Sequence, residues 1–141
     1  METIIWATDG SSGAEEALPA ACELADLSGG QIVAVHISNR FDGRASASLE
    51  DDVIALIEHQ VDDLRERGYF ANLVVRRSHQ DAAETTAVVA AELHAHVIVC
   101  GTRGRSPAAS ALLGSFTQRL LHVAPCPVFA VPPTAVHAVA R

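Results

Sequence analysis

The sequence contains no lysine, and all ten of its basic residues are arginine. A Walker A loop places a lysine on the nucleotide phosphates, so this absence excludes that class of nucleotide-hydrolysing site. Aromatic residues are also scarce, at 4% of the chain, whereas apolar residues make up 49%. A core of that composition consists mainly of small and branched aliphatic side chains, which favours helices packed closely on a valine-rich sheet.

Cysteine pairs and long apolar runs are missing as well. The three cysteines, Cys22, Cys100 and Cys126, are odd in number and form no CxxC pair, which favours free thiols in a reducing compartment. No apolar stretch reaches the length that spans a bilayer, and the chain does not open with a basic segment followed by an apolar run. We therefore expect a cytoplasmic protein with no membrane partner.

Acidic residues are missing from the last third of the chain. All seventeen lie at or before Glu92, and with six arginines they give residues 1–92 a net charge of −11. Residues 93–141 contain four arginines and no acid, a charge of +4. The total charge of −7 argues against nucleic acid as a partner. The C-terminal part of the chain, in contrast, has no carboxylates to repel an anion.

Apolar runs and helical periodicity alternate along the chain. Strands are predicted over 3–8, 31–37, 69–77, 97–100 and 128–131, and helices over 12–27, 49–67, 81–95 and 115–123. The polar segment 39–47 is predicted to be a loop. This alternation predicts one α/β domain over 1–141, a three-layer, doubly wound, five-stranded parallel sheet. Ligands bind such sheets where the winding reverses, which indicates the turns after the first and fourth strands.

Local signals mark several ends of these elements. Ser12 and Glu15 have the spacing of a capping box at the start of the first helix, and Ser115 and Gln118 have it at the start of the fourth. Gly68 is placed to end the second helix. Two arginines at 76 and 77 indicate that the third strand emerges at an edge of the sheet.

A glycine-containing segment connects the fourth strand to the fourth helix. Gly101 and Gly104 precede a loop of small residues, and Gly114 and Ser115 follow it. In a purely structural interpretation, Gly101 and Gly104 supply positive φ angles in a turn, and Gly114 lets the helix start close to the strand. Three features favour a functional one: the connection 102–114 is thirteen residues long, it is basic with Arg103, and no acid occupies the first turn of the helix. Free N–H groups at such a turn suit a phosphate.

The spacing G-x2-G-x9-G-[ST] between a fourth strand and a fourth helix resembles the nucleotide-binding motif of the universal stress protein family. Three further segments are similar to that family in order and spacing: residues 4–11, the pair His36-Ile37, and residues 125–128. The resemblance covers nearly the whole chain. It implies an adenine nucleotide alpha-hydrolase-like fold and the binding of ATP. Magnesium can accompany ATP, bound mainly through the phosphates, and AMP or cyclic AMP are alternative ligands.

The resemblance also implies the residues that hold the nucleotide. Asp9 and Ile37 would contact the adenine region, with Ala7 and Thr8 lining it. Ribose and phosphates would be bordered by Cys100, Gly101, Arg103 and Gly104. The phosphates would be held by Gly114, Ser115, Phe116 and Thr117. Phe116 departs from the small aliphatic residue usual in the family, which alters the fit at that point.

Several of these residues have other interpretations. A carboxylate such as Asp9 after a strand often caps the next turn, and Cys100 has no sequence feature that would lower its pKa. Seven histidines are present, but even the close pair His94 and His96 has no cysteine or carboxylate at zinc spacing, so no metal site is predicted. No nucleophile, base and orienting group can be aligned, so no catalytic residues are predicted.

Three hypotheses of function follow. The first is an ATP-binding universal stress protein that holds the nucleotide as a ligand or signal. The second is a slow ATPase or an autophosphorylating protein with Ser115 or Thr117 as acceptor. The third is a nucleotide-independent interaction module. A homodimer is expected in each case, because the short apolar fifth strand is predicted at a sheet edge where it can pair with a second copy.

Overall fold

The computed structural model describes residues 1–38, 44–103 and 113–133, and over 44–47 it describes the backbone alone. In chain order the elements are β1 (Thr3–Ala7), α1 (Ser12–Ser28), β2 (Gln31–Ser38), α2 (Arg44–Glu66), β3 (Ala71–Arg77), α3 (Ala82–Glu92), β4 (Val97–Gly101), α4 (Ser115–Val123) and β5 (Val128–Val131). Strands and helices therefore alternate through the described residues, as the sequence predicts.

The five strands form one parallel sheet in the order β3-β2-β1-β4-β5. The central strand β1 is buried along its whole length, and its Ile5 is in register with Val33 of β2 and Ile98 of β4. The chain winds from β1 toward β3 first and then resumes on the other side with β4 and β5. The predicted doubly wound parallel sheet is confirmed, as is the edge position of β3.

Two apolar layers cover the faces of this sheet. On one face α1 and α2 pack through residues such as Ala21 and Ile57 against a fully buried Trp6. On the other face α3 and α4 pack through Val89 and Leu120. Alanine is frequent at the contact positions of α1 and α3, so these helices approach the sheet closely, as the composition suggests.

The helix ends show where local sequence signals succeed and where they fail. Gly29 adopts a left-handed conformation with φ of 70° and ends α1, and Gly68, with φ of 98°, follows the end of α2. The predicted capping box of α1 is wrong by one residue. Ser11, in extended conformation, is the N-cap, and its Oγ accepts a hydrogen bond from the N–H of Ala14 at 3.2 Å.

Helix α2 is longer than its sequence pattern predicts. The predicted loop 39–47 is wrong over 44–47, because α2 already begins at Arg44; residues 39–43 lie outside the described part of the chain. The apolar period that marks the helix starts only near Leu49. Ahead of it, alternating alanine and serine carry no periodic signal, although the alanines have a high helix propensity.

Candidate functional site

A cavity of about 260 Å³ opens at the carboxyl ends of β1, β2 and β4. β1 and β4 are neighbours in the sheet, and the winding of the chain reverses between them, so the cavity occupies the usual ligand position of a doubly wound sheet. The wall is formed by the ends of these three strands and by the N-terminal parts of α1, α3 and α4. The lining residues are Ala7, Thr8, Asp9, Ser11, Ala14, Val35, His36, Ile37, Ala82, Thr86, Cys100, Gly101, Arg103, Phe116 and Thr117.

The turn after β1 is organised by its own polar side chains. Thr8 Oγ1 accepts a hydrogen bond from the N–H of Gly10 at 3.1 Å, and Asp9 Oδ1 accepts one from the N–H of Ser11 at 2.9 Å. Gly10 has φ of 78°, a left-handed conformation that glycine adopts without strain. Asp9 therefore stabilises the turn and lines the cavity at the same time, so both of the roles open to it from sequence fit its position.

His36 connects this turn to helix α2. Its imidazole is buried, with Nδ1 2.9 Å from the carbonyl oxygen of Thr8 and Nε2 hydrogen-bonded to Oε1 of Glu50. The Thr8 N–H donates in turn to the carbonyl of Val35 on β2 at 3.0 Å. One wall of the cavity is thus fixed from two sides, by the sheet and by a side chain that reaches the helix layer.

At the other wall, Gly101 allows α1 to approach β4. A Cβ atom at position 101 would lie 2.6 Å from the carbonyl oxygen of Gly13 and 2.9 Å from its carbonyl carbon. Both of these atoms belong to the backbone and cannot rotate away. Glycine at 101 is therefore required for packing, whatever else it contacts, which gives the structural interpretation of this residue a definite physical cause.

Thr117 fixes α4 to the end of β4. Its hydroxyl is buried and donates a hydrogen bond to the carbonyl oxygen of Gly101 at 2.9 Å. The neighbouring Cys100 thiol is also buried, and burial raises its pKa to about 11 against a smaller opposing effect of its hydrogen bond with Thr117. The Cys100 thiol is therefore protonated at neutral pH and behaves as a small apolar wall of the cavity.

The first turn of α4 presents backbone N–H groups without a side-chain cap. Gly114 is the N-cap and makes no side-chain hydrogen bond, and the first turn contains no acid. The predicted capping box of Ser115 and Gln118 is wrong, because Ser115 is already the first helical residue and is exposed. The N–H of Gly114 donates to the carbonyl of Thr102 at 2.7 Å, so the helix start lies beside the end of β4.

The structure brings most of the predicted site residues together. Nine of the twelve line the cavity, namely Ala7, Thr8, Asp9, Ile37, Cys100, Gly101, Arg103, Phe116 and Thr117. Gly114 and Ser115 do not line it, although they directly precede the lining residues Phe116 and Thr117 in the chain. Gly104 lies outside the described residues. The role of all twelve in binding a nucleotide stays a prediction.

Six lining residues were not among the predicted site residues: Ser11, Ala14, Val35, His36, Ala82 and Thr86. Ser11 belongs to the predicted turn, and Ala14 follows it by three residues, so helical spacing from Ser11 is a signal that could have found Ala14. Ala82 and Thr86 belong to α3, and Thr86 is buried with its hydroxyl donating to the carbonyl of Ala82 at 2.8 Å. Their position at the cavity depends on which face of the sheet α3 covers, and no local sequence pattern predicts that face.

A second, larger cleft of about 370 Å³ lies between α1 and α2. It is lined by residues such as Leu18, His59 and Arg67, and none of its lining residues comes from a strand end. Size alone therefore does not select the functional cavity. The position at the winding reversal does, because that is where backbone groups of several strands and helix starts converge.

Within the described ranges, no group of three or more histidine, cysteine or acidic side chains is placed to hold a metal ion. His96 is one of the histidines with a structural contact, since its Nδ1 accepts a hydrogen bond from the N–H of Thr3 at 3.3 Å. Over the same ranges, no helix combines the length and the apolar character that crossing a bilayer requires.

These features define a parallel α/β protein with a cavity at its winding reversal. The sequence model of the universal stress protein family matches residues 1–132, and the chain belongs to that family. No curated protein matches the chain in sequence.

Solved structures share the fold. The universal stress protein from Archaeoglobus fulgidus is 26% identical, with a TM-score of 0.78 over 93% of this chain and 98% of the other. The same organism's protein in complex with dAMP is 21% identical, with a TM-score of 0.70 over 93% and 97%. A universal stress protein in complex with cAMP is 22% identical, with a TM-score of 0.69 over 92% and 96%.

Proposed function

We propose that this universal stress protein is a single domain that binds an adenine nucleotide, ATP first among them, and holds it as a ligand or signal in a stress response. One observation carries the proposal: the cavity at the winding reversal lies beside the acid-free, uncapped start of α4. The relatives solved in complex with dAMP and with cAMP support the choice of an adenine nucleotide.

The base and ribose would occupy the cavity itself. Apolar groups of Ala7, Ile37 and Phe116 line it and suit the faces of a purine ring. Asp9 adds a carboxylate at the rim, half-buried and positioned by its bond to Ser11. A carboxylate there accepts hydrogen bonds, so it favours an exocyclic amino group or a ribose hydroxyl over a carbonyl oxygen.

The phosphates would extend toward the start of α4. The helix presents backbone N–H groups there from Ser115 onward, while the N–H of Gly114 is bonded to Thr102, and the first turn has no carboxylate to oppose an anion. Arg103 lines the cavity on the same side. The helix dipole contributes only about 0.3–1 kcal/mol toward an anion, so backbone and side-chain hydrogen bonds must supply most of the binding. Gly104 and a magnesium ion on the phosphates belong to the same proposal.

Retention of the nucleotide is favoured over its hydrolysis. The chain has no lysine to stabilise a transferring phosphoryl group. Among the described lining residues the carboxylate is that of Asp9, and its Oδ1 is already engaged with the turn. The Thr117 hydroxyl likewise donates to Gly101. We expect little phosphate release from ATP over hours; turnover on the scale of minutes would revive the ATPase hypothesis.

The proposal includes a homodimer in the cytoplasm. β5 is an edge strand, and Phe129 at its centre is 48% exposed. Pairing of two copies through this strand would cover it. All three cysteines are free thiols, as in a reducing compartment.

Mass spectrometry of the nucleotide that co-purifies with the native protein tests the proposal most simply. The protein is purified without added nucleotide, denatured, and the released small molecules are identified and quantified. We expect an adenine nucleotide at a substantial fraction of the protein concentration. Release of only guanine nucleotides or of a non-nucleotide ligand would contradict the proposal.

The variant Gly114→Val tests the phosphate side of the site. Gly114 has φ of −71° and ψ of 163°, which valine adopts without strain, so the variant should fold. Its branched side chain would occupy the space in front of the helix N–H groups and abolish detectable ATP binding by calorimetry. Unchanged affinity in a variant with wild-type thermal stability would contradict the assignment.

A further inference from the structure

We propose that His36 and Glu50 form a protonation-dependent link through which helix α2 sets the conformation of the cavity wall at Thr8 and Asp9. Only the expected effect of this link on nucleotide affinity rests on the proposed function. The link itself is a feature of the protein without ligand.

The hydrogen-bond pattern fixes the protons of the link. The carbonyl oxygen of Thr8 is only an acceptor, so Nδ1 of His36, 2.9 Å away, must carry a hydrogen. Nε2 faces Oε1 of Glu50 at hydrogen-bond distance, and an ionised carboxylate is also only an acceptor. A further proton must therefore lie between Nε2 and Oε1. The link holds one proton more than a neutral imidazole and a carboxylate would hold between them.

Loss of that proton would break the link. The lone pair of Nε2 would then face a carboxylate oxygen in a largely buried position, since the side chain of His36 is 5% exposed and that of Glu50 is 19% exposed. The elements around the link carry further charged groups: Asp9 after β1, Glu15 and Glu16 on α1, Asp51 and Asp52 on α2, and Arg76 and Arg77 on β3. The protonation of the link is therefore followed on the imidazole itself.

The link bears on both the cavity and the helix. Thr8 and His36 line the cavity, and the carbonyl of Thr8 leads directly into the turn that positions Asp9. On the helix side, the fully buried core residues described for α2 are Ile57, Val61 and Leu64 in its C-terminal half, and the N-terminal half packs on the core through the partly buried Val53. Glu50 adds a polar attachment ahead of Val53, where Leu49 is exposed. Movement of this half would reach the cavity through His36.

Substitutions of Glu50 separate the link from a general charge effect. In Glu50→Gln, the amide can donate to Nε2 of a neutral imidazole, so the link survives without the extra proton. In Glu50→Ala, the link is removed. Glu58→Ala removes an exposed carboxylate from the same helix and is the matched control. Thermal unfolding of each variant shows that it is folded.

Two readouts test the proposal. By ¹⁵N NMR, the amides of Thr8 and Asp9 should shift at the pH where the wild-type imidazole loses its proton, and should not shift at that pH in Glu50→Gln. Glu50→Ala should displace the same amides at all pH values. By calorimetry at neutral pH, Glu50→Ala should bind ATP about three- to tenfold more weakly, while Glu50→Gln and Glu58→Ala bind like the wild type.

These experiments can contradict the link and the proposed function independently of each other. Unchanged Thr8 and Asp9 amides in Glu50→Ala would overturn the link, whether or not a nucleotide binds. Equal ATP affinities of Glu50→Ala and Glu58→Ala would overturn the coupling to the site. If the wild type bound no nucleotide while its amides followed the imidazole as described, the link would stand and the proposed function would fall.

Discussion

At position 101 the absence of a side chain lets the start of α1 lie against the end of β4. Gly101 belongs to a motif associated with nucleotide binding, yet its immediate surroundings are the backbone atoms of Gly13. Its carbonyl is also the acceptor for Thr117. A residue of such a motif can thus be required for folding before any ligand arrives, and a loss of binding on its substitution has two possible causes.

The variant Gly101→Ala separates these causes. The added methyl group meets the carbonyl of Gly13 at 2.6 Å, so α1 or β4 must shift, and we expect a loss of about 1–3 kcal/mol of unfolding free energy. Urea unfolding without nucleotide measures it, with the exposed substitution Asn72→Ala as control. Wild-type stability of Gly101→Ala would show that the close approach does not constrain the fold.

The thiols make a second prediction at this scale. Burial raises the pKa of Cys100 to about 11, and it raises the pKa of the less buried Cys126 as well. Because the thiolate is the reactive form, Cys100 should resist iodoacetamide at pH 8 in the folded protein, while the more accessible Cys126 reacts first. Peptide mass spectrometry follows both, and all three cysteines should react alike in urea. Fast alkylation of Cys100 would contradict its assignment as an inert wall.

Among the elements, α4 shows most clearly what its own sequence could and could not indicate. Its extent, Ser115–Val123, follows from the sequence pattern and is confirmed. Its cap does not, because Ser115 and Gln118 fit a capping box by spacing alone, whereas the cap position depends on the bond from Gly114 to Thr102 across the preceding loop. The local sequence therefore indicates approximately where a helix starts, whereas tertiary contacts determine which residue is the N-cap.

The variant Ser115→Glu should have opposite effects on stability and on binding. A carboxylate in the first turn of α4 interacts favourably with the helix dipole and should stabilise the ligand-free protein by about 0.3–1 kcal/mol. The same charge would repel phosphates and weaken ATP binding by about tenfold or more. Thermal unfolding and calorimetry measure the two effects, with Ser115→Gln as the uncharged control. Equal ATP affinity of the two variants would argue against phosphates at this turn.

At the scale of the whole molecule, the sequence predicts the sheet, its winding and the position of the cavity, because alternating apolar runs and helices leave few topologies open. It does not predict contributions from α3, such as Thr86, or the attachment of His36 to Glu50. Those contacts join residues far apart in the chain, and they form only after the layers have packed.

Assembly is predicted at this scale as well. If two copies pair through β5, Phe129→Glu should place charges in the interface and yield a monomer in sedimentation velocity. Phe70, which is 66% exposed beside the opposite edge strand β3, provides the control Phe70→Glu, which should remain dimeric. A monomeric wild type, or dissociation by Phe70→Glu instead, would contradict pairing through β5.

Whether the protein binds ATP and retains it is measured by calorimetric titration of the nucleotide-free, wild-type protein with ATP and magnesium. We expect saturable binding of one ATP per chain, with the heat of binding unaccompanied by the continuing heat of hydrolysis. A folded protein that gives no binding heat with ATP at millimolar concentration, and none with AMP or cyclic AMP, would contradict it.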